Sequence, residues 1–137
     1  MSIRLWLGGV VVLGLAVVSL AGCSGNSGYP IFDREPTSAD VLPPEVASMF
    51  EEQPAVDLDS SRFAATHEGA DLYLLEGTGG MICIALAKGE QSSTACGGGG
   101  GPLGVTSGTI GTFVIGAAPI DELDGWTVLS ENIRVEN

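Results

Sequence analysis

The chain has 137 residues and carries 17 carboxylates against five lysines and arginines, a net charge of −12. No basic patch exists to displace counterions, so nucleic acid is excluded as a partner, and anionic lipid headgroups repel the chain as well. The length admits one small domain, and the sequence shows no internal repeat and no coiled-coil heptad pattern.

At the N-terminus, residues 3–20 are almost wholly apolar, and Arg4 is the only charge ahead of Cys23. An apolar run of about 18 residues is near the lower limit for a membrane-spanning helix. Two readings compete: a permanent anchor helix, or a cleaved export signal with a charged start, an apolar middle and small residues near the cut. The run ends in "LAGC", with Ala21 and Gly22 small, Leu20 at position −3 and Cys23 at +1. This motif, in this position and with this flank, resembles the lipobox of bacterial lipoprotein precursors. The resemblance implies that residues 1–22 are a cleaved signal peptide. It implies that Cys23 is thioether-linked to diacylglycerol, with the new amino group acylated as it often is in that family, and that the chain sits lipid-anchored on the outer, extracytoplasmic face of the cell membrane. Two or more acyl chains hold a protein stably at a bilayer, where one holds it only marginally. Ser24 at +2 is not Asp, so nothing resembles the inner-membrane retention signal of Gram-negative lipoproteins.

Beyond Cys23 the cations are Arg34, Arg62, Lys88 and Arg134, against all 17 carboxylates. Such acidity reads as solubility for an exported protein, with binding of cations or of a basic partner as the alternative. Residues 23–60 read as a lipid-anchored tether with short helical segments, beginning with a small-residue stretch, "SGNSG", suited to a flexible linker. In "TSADVLPP", Thr37 can cap a turn of helix, Asp40 three residues on can answer it, and Pro43 stops it. In "PEVASMFEEQP", Pro44 suits a first turn and Glu45 the positive helix end, with Pro54 just past the last turn. Val46, Met49 and Phe50 share one helical face, which is expected to pack on a sheet.

Residues 61–137 read as a small β domain. "RFAATHEGADLYLLEG" predicts two strands around a turn at His67–Ala70, and "MICIALAKGEQSSTAC" a hairpin. "TIGTFVIGA", "WTVLS" and "NIRVE" predict three further strands. The fold class expected is mainly β: a small antiparallel sandwich or open barrel with one disulfide-closed hairpin and one or two short N-terminal helices. An exported protein occupies a compartment where disulfides persist. If Cys83 faces Cys96 across the hairpin, Ile84 pairs with Ala95, Leu86 with Ser93 and Lys88 with Gln91. That register leaves Gly89–Glu90 as a two-residue loop, and a Gly-X loop is what a type II′ turn requires. It also puts Ile82, Ile84 and Leu86 on the core face, with Cys83, Ala85 and Ala87 on the other.

The remaining chemistry-bearing residues read as structural. A redox pair usually has C-x-x-C spacing and a zinc site needs four ligands, so Cys83, Cys96 and His67 make neither. His67, the only histidine, lies in "THEGA" and reads as an exposed turn residue, although a small envelope hydrolase using His67 is the alternative function. No G-x-S-x-G context accompanies it. "CGGGGGPLG" lacks the Lys-Ser/Thr of a phosphate loop and is expected to be a flexible inter-strand loop. "DELDG" (Asp121 to Gly125) and "VDLDSS" (Val56 to Ser61) do not match a calcium loop and read as turns and caps. No catalytic residue, metal site or cofactor is therefore assigned. The stretches "REPTSADVLPP", "DSSRFAATHEGADLYLLEG", "MICIALA…TACGGG" and "LSENIRV" resemble a family of small uncharacterised lipoproteins and secreted proteins of high-GC Gram-positive bacteria. That resemblance implies an envelope lipoprotein with a disulfide-closed hairpin. The functional expectation is a non-catalytic binding or structural module, tethered to the membrane through lipid on Cys23 and engaging an envelope protein or ligand.

Overall fold

A computed structural model describes residues 28–98 and 101–137, so the leader and Cys23 lie outside the described residues. The framework starts from one hairpin. Strands β1 (Val56–His67) and β2 (Ala70–Gly77) run antiparallel, with His67 opposite Ala70. The loop between them is Glu68–Gly69, and both residues take positive φ, +50° and +73°. Positive φ at both positions is the requirement of a two-residue type I′ turn, whose twist matches that of the strands. β1 begins at Val56, ahead of the predicted start near Arg62, and its first half is irregular. Asp57 pairs with Glu76, yet the next partner of β2, Leu74, is Arg62, so four residues of β1 oppose Leu75 alone. The Ser60 hydroxyl bridges this bulge by accepting from the Glu76 N–H (2.8 Å) and donating to the Asp57 carbonyl (2.5 Å).

β3 (Ile82–Ala87) and β4 (Ser93–Gly97) complete the first sheet in the order β1-β2-β3-β4. Cys83 lies opposite Cys96, Ile84 opposite Ala95 and Leu86 opposite Ser93, which is the register the sequence predicts. The two sulfurs are 2.06 Å apart. The connection differs from the expected two-residue loop. Lys88 and Gln91 are not a strand pair, because the Lys88 N–H donates to the Ser92 hydroxyl (2.8 Å) instead of to β4. A nearby serine oxygen competes with the ladder for that donor and stops it early. Gly89 still sits at the tip with φ of +54°, and the Lys88 carbonyl accepts from the Gln91 N–H across it.

The second sheet contains β5 (Leu103–Ser107), β6 (Gly111–Ile115), β7 (Trp126–Ser130) and β8 (Ile133–Glu136), in the order β5-β6-β8-β7. β5 corrects the reading of the whole glycine-rich stretch as a loop: its strand starts at Leu103, once the glycines give way to alternating Leu103 and Val105. The two antiparallel sheets face each other as a sandwich. Leu72, Leu74, Ile84 and Leu86 of the first meet Phe113, Ile115, Ile133 and Val135 of the second, all essentially inaccessible to solvent.

The first sheet is also covered on its outer face. Leu42, Val46 and Phe50 pack there on Tyr73, Leu75, Cys83 and Ala85. Val46 belongs to the short helix α1 (Pro44–Ser48). The residues at i and i+4 point inward as expected, but Met49 is 39% exposed, because the helix ends at Ser48 and Leu42 supplies the third buried contact instead. Burial of side chains of this size is worth roughly 1.5–3 kcal/mol each. The N-terminal segment is therefore a third layer of the domain. Its start is fixed too, since the Gly28 carbonyl accepts from Ala118 N–H (2.6 Å) and from the buried Asn132 amide (2.8 Å).

Reduction of the Cys83–Cys96 bridge should lower stability by about 3 kcal/mol through restored loop entropy of the unfolded chain, seen as a lower denaturant midpoint. With the bridge intact, Gly89→Val should cost about 1–2 kcal/mol, since a β-branched residue is strained at positive φ. Glu90→Gly should move the midpoint by no more than about 0.5 kcal/mol.

Candidate functional site

Asp40 organises the N-terminal layer. It ends a 3-10 turn over Ser38–Asp40, and its carboxylate is 3% exposed. Oδ1 accepts from Arg34 NH2 (2.6 Å) and from the Phe63 N–H (2.8 Å). Oδ2 accepts from Arg34 NH1 (2.7 Å), the Thr37 N–H (2.6 Å) and the Thr37 hydroxyl (3.2 Å). Asp40 thus answers Thr37 as the sequence predicts, and it does more: a planar guanidinium meets the carboxylate with two parallel bonds. The Phe63 N–H lies on the free edge of β1, so the same carboxylate satisfies an edge strand that water or another chain would otherwise claim. Hydrogen bonds from Arg34, then from the Thr37 and Phe63 amides, hold the Asp40 carboxyl well below the usual carboxylate range, against the opposing effect of burial.

Arg62 locks this arrangement from the strand side. It is buried, and its guanidinium donates to the carbonyls of Arg34 (3.3 Å from Nε and from NH2), Asp59 (3.3 Å), Ser60 (3.0 Å) and Ser61 (2.9 Å). The Ser61 hydroxyl donates to the Asp40 carbonyl (2.5 Å). The bulge of β1 and the 3-10 turn are therefore fixed to each other by side chain to main chain bonds.

Between them lies an open groove of about 440 Å³, with Pro36, Thr37, Val41, Leu42 and Ala47 on one wall and Leu58, Asp59 and Ser61 on the other. Two aliphatic side chains stand in its mouth: Val41, 71% exposed, and Leu58, 39% exposed. Val41 takes extended backbone between buried Asp40 and buried Leu42, so alternation turns its side chain outward. Leu58 points out because the bulge re-aims it. Asp59 adds a carboxylate to the rim, and its own N–H is held by the Asp57 carboxylate (3.0 Å).

The other candidates fall elsewhere. His67 ends β1 and is half-buried, not fully exposed: its ring stands edge-on to Phe113 at 5.7 Å and 90°, an aromatic packing contact. The exposed turn residue is its neighbour Glu68. Val56–Ser61 forms strand and bulge, and Asp124–Gly125 forms the turn before β7, with Gly125 at φ +83°. Among the described residues no three His, Cys, Asp or Glu side chains group to hold a metal ion. Also among the described residues, no helix is long and apolar enough to cross a membrane. Sequence reasoning missed Arg34 and Arg62. The signal was present, since they are two of only four cations beyond Cys23, in a segment crowded with acids. The chain matches no protein-family model, no curated protein and no solved structure.

Asp40→Asn should destabilise the fold by about 2–3 kcal/mol, because it leaves Arg34 and two amides imperfectly matched. A depressed carboxyl pKa stabilises the folded state fully above the unfolded value near pH 4, and this contribution is lost as pH falls through the folded value. Unfolding free energy of the natural chain should therefore decline below about pH 4, with a shallower decline in Asp40→Asn, measured by urea denaturation at stepped pH.

Proposed function

We propose that the protein is a lipoprotein held on the outer face of the cell membrane by lipid on Cys23, and that its domain is a non-catalytic module that binds an envelope partner through the groove between the N-terminal layer and the β1 bulge. The observation that carries the binding role is the pairing of exposed Val41 and Leu58 with a rigid hydrogen-bonded frame behind them. Exposed aliphatic side chains gathered in one concave place mark interaction sites far more often than scattered ones do. The anchor reading is supported by the "LAGC" motif at Leu20–Cys23 and its apolar flank. The binding reading is favoured over hydrolysis by His67, whose imidazole packs on Phe113 and, among the described residues, has no carboxylate or hydroxyl hydrogen-bonded to it to orient or use it.

Cys23→Ser should abolish labelling by a fatty-acid probe and leave the leader uncleaved, read as a slower-migrating, unlabelled chain. Normal labelling of that variant removes the anchor. His67→Phe, which keeps the aromatic contact, should preserve both fold and cellular role. Loss of the role with an intact fold would restore the hydrolase reading.

A further inference from the structure

We propose that the groove seats a cationic segment of a partner protein, taking one leucine-sized aliphatic side chain between Val41 and Leu58 while flanking lysines or arginines meet Asp59 and the acidic surface around the groove. The proposal rests on the binding-module reading and adds the chemistry of the partner.

Size and lining set the first half. A volume of about 440 Å³ with Pro36, Val41, Leu42 and Leu58 along it suits an aliphatic side chain and part of the backbone that carries it. Removal of Val41 and Leu58 from water is the favourable term. Charge sets the second half. Between residues 33 and 59 the chain places Asp33, Glu35, Asp40, Glu45, Glu51, Glu52, Asp57 and Asp59, with Arg34 as the only cation. Arg34 is committed to Asp40 and Arg62 is buried behind the wall on main-chain carbonyls, so Asp59 is the one unpaired carboxylate among the lining residues, and the exposed charges of the surrounding N-terminal layer, Asp33, Glu35, Glu45, Glu51, Glu52 and Asp57, are acidic. Asp59 lines the groove itself, beside Leu58, and no described cation pairs with its carboxylate. Potentials of one sign around an apolar seat select partners of the other sign and reject their own. A second copy of this chain would bring the same exposed carboxylates around its groove, so self-association is disfavoured at this surface. Anionic lipid is disfavoured by the same sign.

The test uses the full chain in nanodiscs of neutral phosphatidylcholine and a fluorescein-labelled pentapeptide with one leucine between paired lysines, followed by fluorescence anisotropy. Saturable binding is expected, absent with empty nanodiscs. Replacing the peptide leucine by serine, or Leu58→Ser in the protein, should each weaken it at least tenfold. Binding should fall as salt is raised, because exposed charges are screened. Asp59→Lys should weaken the lysine peptide and favour its glutamate counterpart. All these variants alter exposed side chains, so folding is retained. Equal binding of the serine peptide, or binding untouched by Leu58→Ser and Asp59→Lys, overturns the proposal. If the glutamate peptide binds the natural chain and loses binding in Leu58→Ser, the groove is a docking site but the partner chemistry is wrong. If no peptide binds and Leu58→Ser dissolves a homodimer, the occupant is a second copy and the proposal falls. If no peptide binds and no homodimer exists, the proposal falls and the binding role of the groove falls with it, while the acyl-labelling result for Cys23→Ser stands apart.

Discussion

The carboxylate of Asp40 is the point through which the N-terminal layer is joined to the sheet. It receives a guanidinium, two amides and a hydroxyl from three places in the chain: Arg34, Thr37 and Phe63. A carboxylate with this many donors is well compensated for its burial, and removal of any one donor leaves the others with an imperfectly solvated charge. It also sets geometry. It fixes where the chain lies when it reaches Leu42, and hence where Val46 and Phe50 land on the outer face of the first sheet. Without that register the sheet would show Tyr73, Leu75 and Ala85 to water, and a domain of this size has little apolar burial to spare.

Arg62 is the complementary device. It is a buried cation whose lost hydration is replaced by four main-chain carbonyls, with no acid among its acceptors. Such a cluster suits a bulge, where carbonyls that no longer pair with the neighbouring strand converge on one side. The bulge in turn is what frees Leu58. The exposed apolar pair at the groove is therefore maintained by polar bonds behind it, so its shape is set by the fold, and for the proposed partner little ordering entropy would remain to oppose binding.

Much of this fold was legible from residue pattern. The hairpins around Glu68–Gly69 and Gly89, the register of Cys83 with Cys96, and the strands at Gly111–Ile115, Trp126–Ser130 and Ile133–Glu136 follow from alternation and turn residues, which act locally. The start of β1 was not legible, because Asp57 and Asp59 in the bulge interrupt the alternation and imitate a loop. β5 was hidden behind glycines that carry no pattern. The order β6-β8-β7 could not be read either, since it depends on long-range pairing. The groove was the least legible part. Its walls are residues 36–47 and 58–61, and they meet through bonds between distant segments: Asp40 with Phe63 and Ser61, and Arg62 with the Arg34 carbonyl. A pattern of residues along one segment carries no trace of that meeting.

The tie between Gly28 and Asn132 decides how far the domain can stand from its proposed anchor. Folded structure is held from Gly28 onward, five positions after Cys23. Covalent geometry limits such a span to about 18 Å even when fully extended, while a domain of about 100 residues has a radius of gyration near 13 Å. On the proposed anchor, the domain therefore rides within less than its own width of the bilayer, and the end bearing Gly28, Asn132 and Ala118 faces the lipid. At that range the charge of the anchored chain, four cations against 17 carboxylates or 4 − 17 = −13, acts across a gap comparable with the Debye length of about 8–10 Å. On that anchor the acidity that looks like mere solubility would also act as a spacer, repelling the domain from anionic headgroups within the reach that the residues after Cys23 allow.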